Sequence, residues 1–228
     1  MSTFKDKLRN GDTVSLINVN HPSLGVVDVV SRLGIDAFMF DCEQGNLSYA
    51  DVEYMGRAAQ SNGVGAIARI PSPEPWIIER TIMRGVDGLV IPRLDTADQA
   101  QRAIADIRYA SPSTFARKVI IVQIETVPAV QELDDFLSLS EVDCFFVGAV
   151  DLAKSMGYDG DYSQPAVQAK LQDVVSRIVA RGRTAGFLVK ENDMAYWQSQ
   201  GVTMLYSHVN EFLSLGVRHW RLAAGLPV

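Results

Sequence analysis

The chain has little cysteine, no excess of basic residues and no long apolar run. Its two cysteines can form neither a disulfide framework nor a cysteine-rich zinc site. Lys and Arg number 21 against 27 Asp and Glu, which argues against a nucleic-acid-binding surface. No apolar run approaches the roughly 18 residues of a membrane helix, and the charged first residues lack the apolar core of a secretion signal. We therefore expect a cytoplasmic protein that binds neither nucleic acid nor membrane.

Short apolar runs recur along the chain at the spacing of about 30 residues that is typical of βαβ units. Hydrophobic residues make up 47% of the sequence, enough for a substantial core. The runs are rich in β-branched and aromatic residues, which predicts strands buried on both faces, as in a parallel sheet. These predicted strands cover residues 13–17, 34–40, 65–68, 85–91, 119–122, 142–147, 186–189 and 201–206.

The segments between the strands have the periodicity of amphipathic helices. Helices are predicted over residues 47–62, 75–84, 96–109, 164–181 and 210–222. Since no linker-like segment divides the chain, residues 1–228 are predicted to form a single α/β domain. Eight alternating units indicate a (β/α)₈ TIM barrel. The alternative, a doubly wound open sheet, lacks its glycine-rich phosphate fingerprint after the first strand.

Barrels of this type carry their active sites at the carboxyl ends of the strands, so polar residues there are candidates. Strands often end in polar residues simply because solvent begins there. That reason explains poorly an Arg, a Gln and a Glu that abut apolar runs, since desolvated polar groups need partners. The polar residues at the predicted strand ends are Asn18, Asn20, His21, Asp41, Glu43, Gln44, Arg69, Gln123, Glu125, Asp151, Lys190, Glu191, His208 and Asn210.

Glu125 and Asp151 follow adjacent strands, so their carboxylates can converge over the barrel mouth. With no His or Cys nearby in sequence, such a pair suits a hard cation, Mg²⁺ or Mn²⁺, better than structural zinc. Arg69 would supply a fixed cationic fork for a substrate carboxylate or a developing oxyanion. Alternatively, Asp151 caps a short helix that starts at that point.

An ordered set of short motifs runs through the chain. The motifs are Phe40-Asp-Cys-Glu-Gln-Gly45, Ala68-Arg-Ile-Pro71, Val90-Ile-Pro92, Val122-Gln-Ile-Glu-Thr126, Phe146-Val-Gly-Ala-Val-Asp-Leu152 and Met156-Gly-Tyr158. In this order they resemble the HpcH/HpaI aldolases, metal-dependent class II aldolases of the phosphoenolpyruvate/pyruvate superfamily. The resemblance is collinear from about Gly34 to the last predicted helix.

This resemblance implies a divalent-metal-dependent carbon–carbon lyase that acts on a 2-keto acid through a metal-bound pyruvate enolate. It implies that Glu125 and Asp151 bind Mg²⁺ or Mn²⁺, with Co²⁺ as a further option. Arg69 would bind the carboxylate and enolate oxygens of pyruvate, and Gln123 would orient the keto oxygen or a metal-bound water. The backbone N–H groups of Gly148, Ala149 and Val150 would receive the carboxylate. A homo-oligomer, a hexamer or trimer with helices exchanged between subunits, is implied as well.

The acid–base residues of the family are replaced here. Gln44 stands where the family has its histidine base, and Met83 stands where an aspartate from a neighbouring subunit pairs with that histidine. A glutamine amide cannot accept a proton at neutral pH. Histidine is the natural substitute, and His21 and His208 are the two that fall at predicted strand ends. The alternative is that both are solvated loop residues and that water replaces the base.

Three functions therefore stay open for this sequence. The first is aldol cleavage or addition, with a keto acid and an aldehyde as substrates. The second is oxaloacetate-type decarboxylation, which generates the same enolate without a base and so tolerates Gln44. The third is a non-catalytic protein that binds a metal and a keto acid.

Overall fold

The computed structural model describes residues 2–227, and in them eight parallel strands close into a barrel. Each strand pairs with the next one along the chain, and the last pairs with the first. The strands are β1 (Val14–Val19), β2 (Ala37–Asp41), β3 (Gly65–Arg69), β4 (Gly88–Ile91), β5 (Val119–Ile124), β6 (Cys144–Val147), β7 (Ala185–Leu188) and β8 (Val202–His208). The predicted (β/α)₈ barrel is confirmed.

Helices surround the barrel and close its amino end. Over residues 2–227 they are α1 (Phe4–Asn10), α2 (Leu24–Ser31), α3 (Tyr49–Ser61), α4 (Pro75–Ile82), α5 (Ala97–Ala110), α6 (Val127–Gln131), α7 (Leu133–Ser138), α8 (Ala149–Ser155), α9 (Pro165–Ala180), α10 (Met194–Ser199) and α11 (Val209–Ala223). The five helices predicted from periodicity correspond to α3, α4, α5, α9 and α11. None of the helices in the described residues has the length and apolarity needed to cross a membrane.

The sequence pattern sets some element boundaries too early. Residues 34–40 are predicted as one strand, yet β2 begins at Ala37. Gly34 has a φ of 86°, a left-handed conformation that belongs to the turn before the strand and that glycine adopts without strain. β4 likewise begins three residues after its predicted start.

An aspartate directly precedes β2, β4 and β6 and ties each of these strands to its neighbour at the amino end of the barrel. In all three cases its carboxylate accepts a hydrogen bond from a backbone N–H of the preceding strand. The pairs are Asp36 with Ser15 at 2.8 Å, Asp87 with Ala66 at 2.8 Å, and Asp143 with Ile120 at 2.9 Å. These aspartates are therefore structural, and they lie at the end of the barrel where stability, rather than catalysis, is usually determined.

Alternate strand residues point into the barrel and form layers. The lower layers are apolar, and they include Leu16, Met39, Ile67, Ile121 and Tyr206 in one buried cluster. Two residues further along each of these strands, the inward position is polar. Those polar positions are Asn18, Asp41, Arg69, Gln123 and His208. The carboxyl end of the barrel is therefore the polar end.

Candidate active site at the carboxyl end of the barrel

Arg69 is held in place by Asp41, which lies opposite it in the register between β2 and β3. Its Nε and Nη2 donate to the two carboxylate oxygens of Asp41 at 2.9 and 2.5 Å. The side chains are only 7% and 2% exposed. Burial disfavours both charges, but the paired hydrogen bonds and the opposite charge outweigh it. The pKa of Asp41 therefore lies below its ordinary value and that of Arg69 above. Arg69 is a permanently charged, oriented fork.

Asp41 also shapes the turn that follows β2. It accepts hydrogen bonds from the backbone N–H groups of Glu43 and Gln44 at 3.1 and 3.2 Å. This turn directs Glu43 inward, where its side chain is 4% exposed. There the Glu43 carboxylate lies 3.3 Å from Arg69 Nε and 2.8 Å from Arg93 Nε. Glu43 thus bridges two arginines at the barrel mouth.

Glu125 is buried directly after β5 and receives two hydrogen bonds. The backbone N–H of Arg93 donates to its Oε1 at 2.7 Å, and the side-chain amide of Gln123 donates to its Oε2. Burial, together with the negative charges of Glu43 and Asp151, raises the pKa of Glu125 to about 7, although the Arg93 hydrogen bond and the Arg69 charge oppose the shift. The protein alone therefore stabilises the negative charge of this carboxylate poorly.

Because Gly148 has no side chain, the Glu125 side chain can pack directly against it. A Cβ at position 148 would come within 2.7 Å of the Glu125 Cβ and 3.0 Å of the Gln123 amide nitrogen. These distances are shorter than side chains tolerate, so glycine is required where β6 leads into α8. The Gly148-Ala-Val-Asp151 turn therefore packs directly against Glu125 and Gln123.

The structure places Asp151 in the first turn of α8, but the cap of this helix is Gly148 and no side chain caps it, so the alternative in which Asp151 is the cap is wrong. Its carboxylate remains about a third exposed, accepts a hydrogen bond from Lys154 at 2.9 Å, and is close enough to Glu125 to raise the pKa of that residue. Asp151 can therefore belong to the helix start and still face Glu125 across the barrel mouth.

One expected carboxylate donor needs correction. The backbone N–H of Gly148 donates to the Ile124 carbonyl at 2.9 Å, so the β5–β6 ladder already uses it. The N–H groups of Ala149 and Val150 open α8 and have no acceptor within residues 2–227. They are the two of the three expected donors that stay available.

Three buried oxygens at this end of the barrel lack a hydrogen-bond donor. They are Asn18 Oδ1, Glu43 Oε2 and Gln123 Oε1. Buried acceptors without donors are costly unless something else satisfies them. A hard cation beside Glu125 and Asp151 would suit Gln123 Oε1, whose amide group contacts Glu125, because such a cation prefers carboxylate and amide oxygens. No group of three or more His, Cys, Asp or Glu side chains within residues 2–227 could hold a metal. Two carboxylates would therefore leave coordination positions for water and substrate.

Tyr206 belongs to the candidate site through its contact with Asn18, although the sequence pattern does not reveal it. Its buried hydroxyl accepts a hydrogen bond from Asn18 Nδ2 at 2.8 Å, and the same nitrogen lies 3.3 Å from Asp41 Oδ2. In the sequence, Tyr206 looks like the last apolar residue of a strand. The signal that could have revealed it is spacing: Tyr206 lies two residues before His208 on β8, so both side chains point into the barrel.

The three candidate acid–base residues differ in their exposure to solvent. Gln44 and His21 are exposed, and His21 lies in the loop after β1. His208 is half-buried at the end of β8, with its Nδ1 3.0 Å from Asn20 Oδ1. Burial and the Arg69 charge lower the pKa of His208, so its ring is neutral at pH 7. The structure brings His208, but not His21, into the polar layer.

Comparison with known proteins supports the fold and identifies the family. The chain is 26% identical to a hydroxypyruvate/pyruvate aldolase of Roseobacter denitrificans, over 85% of each chain. It is 28% identical to a 2-keto-3-deoxy-L-rhamnonate aldolase of Escherichia coli, over 90% of this chain and 88% of that protein.

Solved structures agree with the barrel. An HpcH/HpaI aldolase/citrate lyase family protein from Burkholderia cenocepacia superimposes with a TM-score of 0.87, 22% identity and coverage of 98% of this chain and 99% of that one. The citrate synthase SbnG gives 0.84 at 22% identity, over 99% and 100%. At these identities the structures establish the fold alone. The sequence profile of the HpcH/HpaI aldolase/citrate lyase family, however, matches residues 17–223, nearly the whole chain. The chain therefore belongs to this family.

Proposed function

We propose that the protein is a divalent-metal-dependent aldolase that cleaves or forms a carbon–carbon bond next to a pyruvate enolate. One observation carries the proposal: a fixed Arg69 fork and the Glu125–Asp151 carboxylate pair share one barrel mouth with unsatisfied acceptor oxygens. The two relatives named as aldolases of keto acids support the substrate class. This arrangement suits a small anionic keto acid and a hard cation.

Each residue has a distinct task in this proposal. Glu125 and Asp151 would hold Mg²⁺ or Mn²⁺, which when bound supplies Lewis acidity to the keto oxygen. Arg69 donates hydrogen bonds to the carboxylate and enolate oxygens of pyruvate, and Asp41 keeps its guanidinium in plane for that contact. Gln123, with its free Oε1, orients a water or the substrate at the same place.

Proton removal from the aldol hydroxyl needs a base other than Gln44. Of the two histidine candidates, His208 has the better position, because it lies in the polar layer with a neutral ring. We expect His208→Ala to lower aldol turnover by at least about 10² while metal affinity is unchanged. His21→Ala is the matched comparison. Equal turnover in wild type, both variants and the double variant would eliminate histidine as the base and favour water.

Decarboxylation is the second candidate function, and Gln44 is the observation that favours it. Loss of CO₂ from oxaloacetate forms the enolate without deprotonating a hydroxyl, so an amide at this position does no harm. Steady-state rates with oxaloacetate and with a 4-hydroxy-2-keto acid, each with and without Mn²⁺, distinguish the two activities. Fast aldol cleavage with negligible decarboxylation would refute this alternative, and binding without either reaction would indicate a non-catalytic protein.

The metal assignment is tested by direct Mn²⁺ titration. Glu125→Gln and Asp151→Asn each remove an anionic oxygen from a site that has only two, so each should abolish measurable Mn²⁺ binding. Asp173→Asn, on the exposed face of α9, is the matched control and should bind like wild type. Undiminished Mn²⁺ affinity in either site variant would refute the assignment.

We also propose a homo-oligomer, a trimer or hexamer, assembled through α11. Only Val209 of this helix is buried, whereas Leu213, Val217, Trp220 and Leu222 are about 60% exposed. An exposed apolar stripe of this kind marks an interaction surface. Light scattering should give a trimeric or hexameric mass for the wild type and a smaller one for Trp220→Glu. A monomeric wild type would contradict the proposal.

A further inference from the structure

Tyr206 is a buried ionisable group for which the proposed chemistry so far has no task. Its side chain lies inside the barrel and the residue is 4% exposed. The ring is fixed by Phe146 and His208, whose ring centroids lie 5.0 and 5.1 Å from its own. A rigid phenol directly beneath the polar layer of the barrel is well placed to act on a molecule bound by that layer.

The hydrogen bond from Asn18 decides where the phenolic hydrogen can point. Asn18 Nδ2 donates to the Tyr206 oxygen at 2.8 Å and so occupies one of its lone pairs. The hydroxyl hydrogen must therefore point away from Asn18, and within residues 2–227 it meets no acceptor. A buried donor without a partner is unusual, which indicates that a bound molecule or water accepts it.

The charges around Tyr206 favour a proton donor over a base. Burial raises the pKa of its hydroxyl above the ordinary value, and Asp41 and Glu43 raise it further, although Arg69 opposes them. Tyr206 therefore stays protonated at neutral pH. Arg69 and the Asn18 amide would stabilise the phenolate that forms transiently when the proton leaves.

We propose that Tyr206 is a catalytic residue that protonates the methylene carbon of the pyruvate enolate. This inference rests on the proposed function. After the carbon–carbon bond breaks, the enolate π pair forms the new C–H bond with the phenolic proton, and the keto group is restored. The phenolate then takes a proton from solvent. That proton is balanced by the one released when the aldol hydroxyl becomes the aldehyde.

The test is Tyr206→Phe, which removes one oxygen and keeps the ring packing. With Mn²⁺ in D₂O, exchange of the pyruvate methyl hydrogens should slow by at least about 10², the usual effect of losing an acid–base group. Single-turnover loss of oxaloacetate should stay at the wild-type rate, because it forms the enolate but does not protonate it. Mn²⁺ and pyruvate affinities should also be unchanged. Tyr109→Phe, at an exposed position on α5, is the control.

The outcomes separate this assignment from the proposed function. Wild-type exchange in Tyr206→Phe would overturn the role of Tyr206 and leave the aldolase proposal intact. Parallel loss of exchange, oxaloacetate cleavage and Mn²⁺ affinity would also overturn it, because it would show a structural role. A wild-type protein that neither exchanges pyruvate nor cleaves oxaloacetate would instead refute the proposed function.

Discussion

Replacing Arg69 by lysine keeps the positive charge but removes the planar fork. Arg69 makes two hydrogen bonds to Asp41 and can still direct a further N–H group at substrate. A lysine ammonium on a thinner stem cannot hold Asp41 and a substrate carboxylate in the same plane. Losing one charge-assisted hydrogen bond costs about 1.5–3 kcal/mol. Pyruvate should therefore bind roughly 10- to 100-fold more weakly.

Calorimetric titration of pyruvate into Mn²⁺-loaded protein measures this loss. The fold should survive, because Asp41 and Glu43 keep a cationic neighbour. Arg69→Met provides the contrast: it leaves the buried Asp41 carboxylate unpaired, while Glu43 keeps its contact with Arg93, and should lower the free energy of unfolding by about 3–5 kcal/mol. Arg117→Lys, exposed near the amino end of the barrel, is the conservative control. Wild-type pyruvate affinity in Arg69→Lys would refute the role assigned to the fork.

Further predictions concern backbone strain, buried charge and pH. Arg93 has a left-handed φ of 59°, so Arg93→Gly should be more stable to urea than Arg93→Ala by about 1 kcal/mol. Asp143→Ala leaves a buried lysine of α1 unpaired and should lower the free energy of unfolding by about 3 kcal/mol, against under about 0.5 for Asp98→Ala at an exposed ion pair. Burial raises the pKa of Asp36, but hydrogen bonds from α1 and β1 outweigh it and lower the pKa. The destabilisation of Asp36→Asn in urea should therefore disappear as the pH falls below the ordinary value of 3.8.

Each of these predictions has a contradicting result. Equal stability of the Arg93→Gly and Arg93→Ala variants would show that this backbone is unstrained. Equal losses for Asp143→Ala and Asp98→Ala would show that burial does not strengthen the Asp143 pair. A stability difference for Asp36→Asn that persists at pH 2 would mean that its ionisation is not the cause.

The barrel was predictable because its signals are local and repeated. Continuous apolar runs mark strands that are buried on both faces, and helices of several turns carry a clear period. The short helices α1, α2, α6, α7 and α10 were not predicted. They have five to eight residues, or little more than two turns at most, and so leave little periodicity to detect.

The candidate site was predictable only as a set of polar residues at strand ends. Polar residues after apolar runs identify Arg69, Glu125 and Asp151, because such residues need partners. The hydrogen bond to Glu125 comes from the backbone N–H of Arg93, which has a left-handed conformation. An arginine in the sequence does not predict that conformation. Tyr206 is hidden for another reason: tyrosine is ordinary in a strand, and only barrel closure brings β8 beside Asn18 on β1.

Deuterium exchange at the methyl group of pyruvate tests the central claim most directly. The reaction requires the metal, the Arg69 fork and a group that removes a methyl proton and returns a deuteron, but no second substrate. We predict rapid exchange by the wild-type protein with Mn²⁺ or Mg²⁺, none after chelation, and none in Glu125→Gln. Pyruvate that binds to the metal-loaded wild type without exchanging would contradict an aldolase mechanism and identify the protein as a non-catalytic binder.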